Sequence, residues 1–226
     1  GAAGADRAAG VSKAGGLYYQ FGRKDPFPFM GVLLYDVAGD ALPRYHADAD
    51  GISRVPGSTL IKTAVRRPST YYASASEDWV SNNPYAGNSW NNPTWHPSPT
   101  GKGLFDPCPP GWKLPVITVW SGFILPGTVV PNAANYPDDY QDGLEQAGWE
   151  FYMGGVGIGE TTFYPAAGLR LANGGGSVNM RSFGYYWSAT PSGSTHGRYL
   201  WMSIMYGTSV QNEVRGHGMP VRCVQE

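Results

Sequence analysis

Four histidines, two cysteines, a group of aspartates, one serine beside a tryptophan and one glycine run are the places where this chain holds reactive or ligating side chains. His46, His96, His196 and His217 are scattered, and no pair has the His-x-x-x-His spacing that puts two imidazoles on one helix face for zinc. His196 and His217 share the C-terminal block at expected turns, where they read as ligand-facing or solvent-facing polar groups, with a zinc pair as the sharper alternative. Ser188 follows Trp187 inside an expected strand, with no Gly-x-Ser-x-Gly elbow and no evident base, so it reads as structural. The run Gly154-Gly155-Val156-Gly157-Ile158-Gly159 lacks the following Lys-Ser/Thr and the strand-to-helix setting of a phosphate loop, which leaves a flexible loop or tight bend. Asp138, Asp139 and Asp142 either gather a cation or form the solvated start of a helix, the second being the ordinary role of acids at a helix N-terminus.

Cys108 and Cys223 stand 115 positions apart. Two such thiols make a disulfide, two buried thiols or a catalytic pair; the exported character of the composition favours the disulfide. Closing a loop of that length stabilises a fold by at most about 5 kcal/mol in the chain-entropy account. A reactive thiol needs an accessible, electropositive setting, and Arg222 alone is thin support for one.

The C-terminal block also carries a recognition-type composition. The expected turn at 192–197 and the expected loop at 206–219 hold Ser194, Thr195, His196, Tyr206, Thr208, Gln211, Glu213, Arg215 and His217. The strand expected between them projects Tyr199, Trp201 and Ser203 from one face. Aromatic anchors beside adaptable polar groups are what ligand-binding faces use. The plainer alternative is an ordinary loop surface with Trp201 packed beneath it.

The elements that must hold these residues are short. Of 226 residues, 32 are glycine and 19 are proline, which interrupt helices and supply turns. Hydrophobic residues make up 42% and charged residues 15%, so a core can form in one domain. A net charge of −1 and a pI of about 6.5 give no basic field for a nucleic-acid backbone. No apolar run is long enough to cross a bilayer as a helix. Residues 1–16 read as a flexible lead-in. No signal peptide is visible at Gly1-Ala2-Ala3-Gly4, which leaves room for a targeting segment removed upstream.

Strands are expected at 17–21, 32–35, 59–65, 185–189, 198–205 and 221–224 from aromatic and β-branched content. In the fifth of these, Leu200, Met202 and Ile204 alternate with Tyr199, Trp201, Ser203 and Met205. Residues 81–103 read as a long structured loop. One short helix is expected over 116–123, with Pro115 in its first turn and Pro126 as its stop. A second starts at Asp138, with Tyr140, Leu144 and Ala147 on one face and Gly148 as its end.

Five segments occur in a recognisable order: residues 16–28, residues 106–115 (Asp-Pro-Cys-Pro-Pro-Gly-Trp-Lys-Leu-Pro), Tyr164-Pro165-Ala166-Ala167-Gly168, residues 184–190 (Gly-Tyr-Tyr-Trp-Ser-Ala-Thr) and Val221-Arg222-Cys223-Val224. Together they resemble the Fibrobacter succinogenes major paralogous domain family, a relative of the C-terminal domain of a bacterial collagen-like adhesin. The likeness spans residues 16–226. It implies an α+β, C-type lectin-like fold: two short helices, twisted antiparallel sheets and long loops on one side. It also implies surface-exposed or secreted proteins of gut-type bacteria, at pilus tips or on lipoproteins. The chain is similar as well to the variable proteins of diversity-generating retroelements, whose C-terminal segment carries the ligand contacts. The family pattern puts one cysteine before the first helix and one in the last strand, which supports a Cys108–Cys223 bridge. The chain departs from it after Pro115: Val116-Ile117-Thr118-Val119-Trp120 stands where the family has a polar start and a Glu-Trp pair. Sugar-binding C-type lectins supply calcium with a Trp-Asn-Asp strand, but here Trp187-Ser188-Ala189 has no carboxylate. Trp90-Asn91-Asn92 is a look-alike in the upstream loop section.

The expectation is therefore a lectin-like domain over 17–226, behind a loose segment at 1–16. It binds a glycan or a host or bacterial surface protein without enzymatic chemistry and without a cofactor. Other pilus or surface subunits are further candidate partners; nucleic acid is not. Its place is the cell exterior, associated with the outer membrane. Two alternatives stand beside it: an oxidase on the scaffold of the formylglycine-generating enzymes, which use a reactive cysteine pair, and a structural pilus subunit that needs a removable edge strand near its N-terminus.

Overall fold

The computed structural model describes residues 17–28, 52–53, 66, 71–72, 102, 106–124, 147–155, 157–173, 175–193, 195–203 and 207–226. The strand candidates at 32–35 and 59–65, the loop at 81–103 apart from Lys102, the lead-in at 1–16 and most of the second expected helix lie outside the described residues.

Along the chain the strands are β1 (Leu17–Gln20), β2 (Phe27–Pro28), β3 (Ile52–Ser53), β4 (Tyr71–Tyr72), β5 (Trp112–Lys113), β6 (Gly148–Tyr152) and β7 (Thr161–Pro165). They continue as β8 (Leu169–Arg170), β9 (Ser177–Val178), β10 (Phe183–Ser192), β11 (His196–Ser203), β12 (Gly207–Val214), β13 (Gly218–Met219) and β14 (Val224–Gln225). The helical content among the described residues is the 3-10 segment η1 (Ile117–Phe123) and the single position Arg66. An α+β fold with two helices is thus corrected: the described chain is mostly β, in several small antiparallel sheets.

The reason lies in two local sequences. After Pro115 come four β-branched residues, Val116 to Val119, which lose side-chain freedom in an α-helix. A 3-10 winding instead repeats every three residues. It sets Ile117, Trp120 and Phe123 on one side, against the core, and leaves Thr118 and Val119 exposed. At the second site Ala147 adopts φ 55° and Gly148 opens β6 rather than closing a helix. A Cβ on Gly148 would meet a Phe163 ring atom and the Tyr164 carbonyl oxygen at 2.5 Å, so the glycine allows the β6–β7 pair to close.

A five-stranded sheet runs β2-β1-β13-β8-β9 and joins the first strand to the end of the chain. A three-stranded sheet, β10-β11-β12, forms the centre; smaller pairs are β14-β5, β6-β7 and the parallel β3-β4. The central sheet is covered on both faces. Tyr185, Trp187, Ala189 and Tyr199 enter one core cluster with Phe21, Cys108 and Leu114. Tyr186, Leu200 and Met202, one residue out of phase, enter a second with Ile117, Trp120, Trp149, Phe151 and Tyr164. Period-two alternation therefore buries both sets here. The second cluster is knitted by rings: Phe123 stacks on Phe151 at 3.8 Å, and Tyr164 meets both edge-on.

Cys108 and Cys223 are bonded, with sulfurs 2.09 Å apart. The loop around Cys108 is fixed from two sides. The buried Asp106 carboxylate accepts the N–H groups of Cys108 (2.8 Å) and Leu114 (3.0 Å). Lys102 Nζ donates to the carbonyls of Cys108, Pro109 and Trp112 at 2.6–2.7 Å. β14 then pairs with β5, so the bridge and the ladder hold the same two segments together.

Candidate functional site

The register of the central sheet decides which side chains share a surface. Tyr185 lies opposite Trp201, and Trp187 opposite Tyr199. Across the other seam Trp201 faces Ser209, Tyr199 faces Gln211 and Gly197 faces Glu213. Directly opposed residues project on the same side, so Phe183, Tyr185, Tyr199, Trp201, Ser209, Gln211 and Glu213 belong to one face.

Four rings on that face lie in series, each tilted by 24–32° to the next. Tyr199 and Tyr185 have centroids 5.9 Å apart at 32°, Tyr185 and Phe183 6.1 Å at 32°, and Phe183 and Trp201 6.0 Å at 24°. Burial falls along the row. Trp187 and the two tyrosines are buried under the disulfide side, Phe183 and Trp201 are half-buried, and Gln211 is exposed. The row thus begins in the core and ends at two half-buried rings packed against it.

Polar groups beside the rings are tethered. Gln211 Nε2 donates to Ser209 Oγ at 2.7 Å. Glu213 Oε1 accepts the Val214 N–H at 3.0 Å. Asn179 Nδ2 donates to the Tyr185 hydroxyl at 2.9 Å from the turn that leads into β10. That turn holds Asn179 at φ 63° and Arg181 at φ 67°, two non-glycine residues in the left-handed region within three positions, a strain that clusters at functional segments. Burial raises the Tyr199 hydroxyl well above its usual range, and the Glu213 carboxylate and Tyr185 add to the shift. Burial raises Tyr185 too, against the hydrogen bonds from Asn179 and Trp201.

The residues singled out from the sequence divide in three. Thr195 and Gln211 are exposed, and His196, Trp201 and Glu213 are half-buried; Thr195 Oγ1 and His196 Nδ1 are 2.8 Å apart. Tyr199, Ser203, Thr208, Arg215 and His217 are buried and support the surface from beneath. Ser194 and Tyr206 lie outside the described residues. The segment expected as a loop at 206–219 is largely a strand, β12, and its register with β11 is unbroken from Ser203–Gly207 to His196–Val214. Arg215 is the clearest inversion. Its Nη2 donates to the Gly193 carbonyl (3.0 Å), its Nε to that of His196 (3.4 Å), and its backbone N–H to Thr195 O (3.1 Å). It pins the β10–β11 turn from inside, with its guanidinium 5.7 Å from the Phe21 ring centre. Sequence reasoning passed over Phe183 and Asn179. The alternation Phe183, Tyr185, Trp187 was a usable signal for the first; the second depends on a turn geometry that no local pattern announces.

The reactive candidates are occupied. Ser188 Oγ donates to the Arg198 carbonyl (2.8 Å) and accepts the Thr190 N–H (3.1 Å), a strand-locking role. Both sulfurs are in the bridge. Of the glycine run, residues 154–155 and 157–159 lie in the bend of the β6–β7 hairpin, closed by Gly154 N–H to Ile158 O and Ile158 N–H to Gly155 O, each 3.1 Å. Among the described residues no three His, Cys, Asp or Glu side chains gather as a metal site; Asp138, Asp139, Asp142 and the Trp90-Asn91-Asn92 look-alike are outside them. No helix among the described residues is long and apolar enough to cross a membrane. No family model, curated protein or solved structure matches the chain.

Proposed function

We propose that the chain is a non-enzymatic, extracellular ligand-binding and adhesion domain of a bacterial surface protein, presenting the β11–β12 face to a glycan or protein ligand. One observation carries the reading: a row of rings anchored in the core emerges at Phe183 and Trp201 among polar groups that are already tethered. Such a face loses little side-chain freedom on binding. The disulfide supports an oxidising, exported setting. The ordered likeness to the Fibrobacter succinogenes major paralogous domain family points to the same place and role. For the pilus-subunit alternative, β1 lies between β2 and β13 rather than at a sheet edge, with Gln20 Nε2 bonded to Tyr72 O and Gly216 O at 2.9 Å. It is a poor candidate for a strand that leaves.

The test is a combined array of glycans and host or bacterial surface proteins, probed with the disulfide-intact chain and with Trp201→Ala. Saturable binding that weakens at least about tenfold on substitution, with unchanged far-ultraviolet dichroism, is the expected result. Binding indifferent to Trp201 moves the site elsewhere on the molecule.

A further inference from the structure

We propose a second binding site, independent of the β11–β12 face: the β5–β14 corner takes one neutral sugar ring, stacked on the Trp112 indole and bonded through its hydroxyls to the Gln225 amide. Trp112 is 45% exposed. Among the described residues no ring stacks on it and no acceptor takes its indole N–H. An open indole is an apolar surface with a negative π cloud, complementary to the C–H face of a hexose.

The backbone brings the amide to the ring. Trp112 pairs with Gln225 in the antiparallel ladder. The Trp112 N–H goes to Pro109 O at 3.0 Å, and its carbonyl accepts from Lys102 Nζ at 2.6 Å, so neither is spent on β14. The Glu226 N–H meets Gly111 O instead, at 3.0 Å. The Trp112–Gln225 pair is therefore of the non-hydrogen-bonded kind, in which opposed side chains share a face and stand closest. Gln225 is exposed, and its amide makes no hydrogen bond among the described residues. Its oxygen and N–H groups remain for neighbouring sugar hydroxyls, which both donate and accept.

The corner is stiffly mounted. Pro110 and then Gly111 at φ 80° stand in the order of a type II turn, closed by the Trp112 N–H. Lys102 Nζ spans the carbonyls of Cys108, Pro109 and Trp112, and the bridge at Cys223 secures β14 just before Gln225. A mounted ring loses little freedom on binding. Size and charge select the occupant. Neither β5 nor β14 exposes a second large apolar side chain, which falls far short of the roughly 800 Å² per partner of a stable protein interface. Proline-rich peptides use grooves lined by several aromatics; one ring and one amide suit one sugar. Lys113 and Val224 project to the other side of the ladder, and Glu226 lies 3.9 Å from Lys102 Nζ, so acid and base offset each other and a charged sugar gains nothing.

The experiment applies the disulfide-intact chain to immobilised neutral oligosaccharides, acidic oligosaccharides and proline-rich peptides, alongside Trp112→Ala, Trp112→Phe, Gln225→Ala and Met153→Ala. Neutral sugars bind, as well at about 0.5 M salt as at low salt. Trp112→Ala loses about tenfold or more, Trp112→Phe retains most of the affinity and Gln225→Ala loses about threefold. Met153→Ala, which trims an exposed apolar residue elsewhere, binds like the parent. Urea midpoints stay level, since Trp112 and Gln225 are exposed. Glycan binding indifferent to Trp112→Ala, confined to acidic sugars or replaced by peptide binding overturns the proposal, as does silence of every glycan. Glycan binding lost in Trp201→Ala and kept in Trp112→Ala overturns this site and leaves the β11–β12 reading intact. The reverse pattern keeps this site and removes the glycan from that face.

Discussion

Gly197 shows how little room the central sheet leaves at one residue. A Cβ there would lie 2.6 Å from one atom of the Phe21 ring and closer to another, and 3.0 Å from the Trp187 ring. Phe21 and Trp187 are fully buried and meet edge-on at 5.3 Å, so neither can swing away. Gly197→Ala is expected to destabilise the chain by about 1–3 kcal/mol as an overpacking change, read as a lower urea midpoint with an unchanged slope. The same scale shows what the sequence could and could not say. That Tyr199, Trp201 and Ser203 share a face was legible, because alternation along 198–205 needs only neighbours in sequence; that Trp201 is half-buried while the other two are buried was not. Nor was Arg215. Its inward turn depends on carbonyls at Gly193 and His196 that reach it only after β10 and β11 have formed a hairpin.

Elements were legible where the signal was local. The strands at 17–20, within 185–189 and from 198 onward stand in the structure, and so does the place of η1, marked by Pro115. Its winding was not, and neither was β12, whose Gly207-Thr208-Ser209-Val210-Gln211-Asn212-Glu213-Val214 offers two apolar residues in eight. β12 is a strand because β11 is beside it. η1 likewise borrows its start from elsewhere: Val116 gives no side-chain cap. Instead, Thr190 Oγ1 from β10 accepts the Ile117 N–H at 2.9 Å. Thr190→Val keeps the shape and removes the acceptor, leaving the first N–H of the helix unpaired in a partly buried site. A loss of about 1–2 kcal/mol is expected, with amide exchange of residues 117–120 rising before that of β11. Equal protection in both proteins would show that the cap contributes nothing.

At the scale of the whole molecule, the bridge and the tyrosines set how the fold responds to conditions. Two cysteines made the bridge readable in advance, and opening it by the paired change Cys108→Ala with Cys223→Ala is expected to cost up to about 5 kcal/mol, seen as a lowered melting temperature. The tyrosines were not readable, since their burial is a product of the assembled core. Burial holds the hydroxyls of Tyr18, Tyr71, Tyr164, Tyr186 and Tyr199 above their ordinary range. Three of these donate to backbone carbonyls: Tyr18 to Ala167, Tyr71 to Gly216 (2.7 Å) and Tyr186 to Pro165 (2.5 Å). A tyrosinate at any of them would set a negative charge against a carbonyl oxygen in a dry site. The folded chain therefore keeps protons that the unfolded chain releases near pH 10. Stability from this source is complete below about pH 10 and is lost as pH rises through the raised folded values, because the unfolded state then binds fewer protons. Urea midpoints should be level through neutral pH and fall steeply above about pH 10. Tyr71→Phe, which no longer has a proton to lose, should fall less steeply. Tyrosinate absorbance should lag in the folded protein and appear together with unfolding. A smooth titration of all the tyrosines near pH 10 with no loss of stability would show that these hydroxyls already meet water.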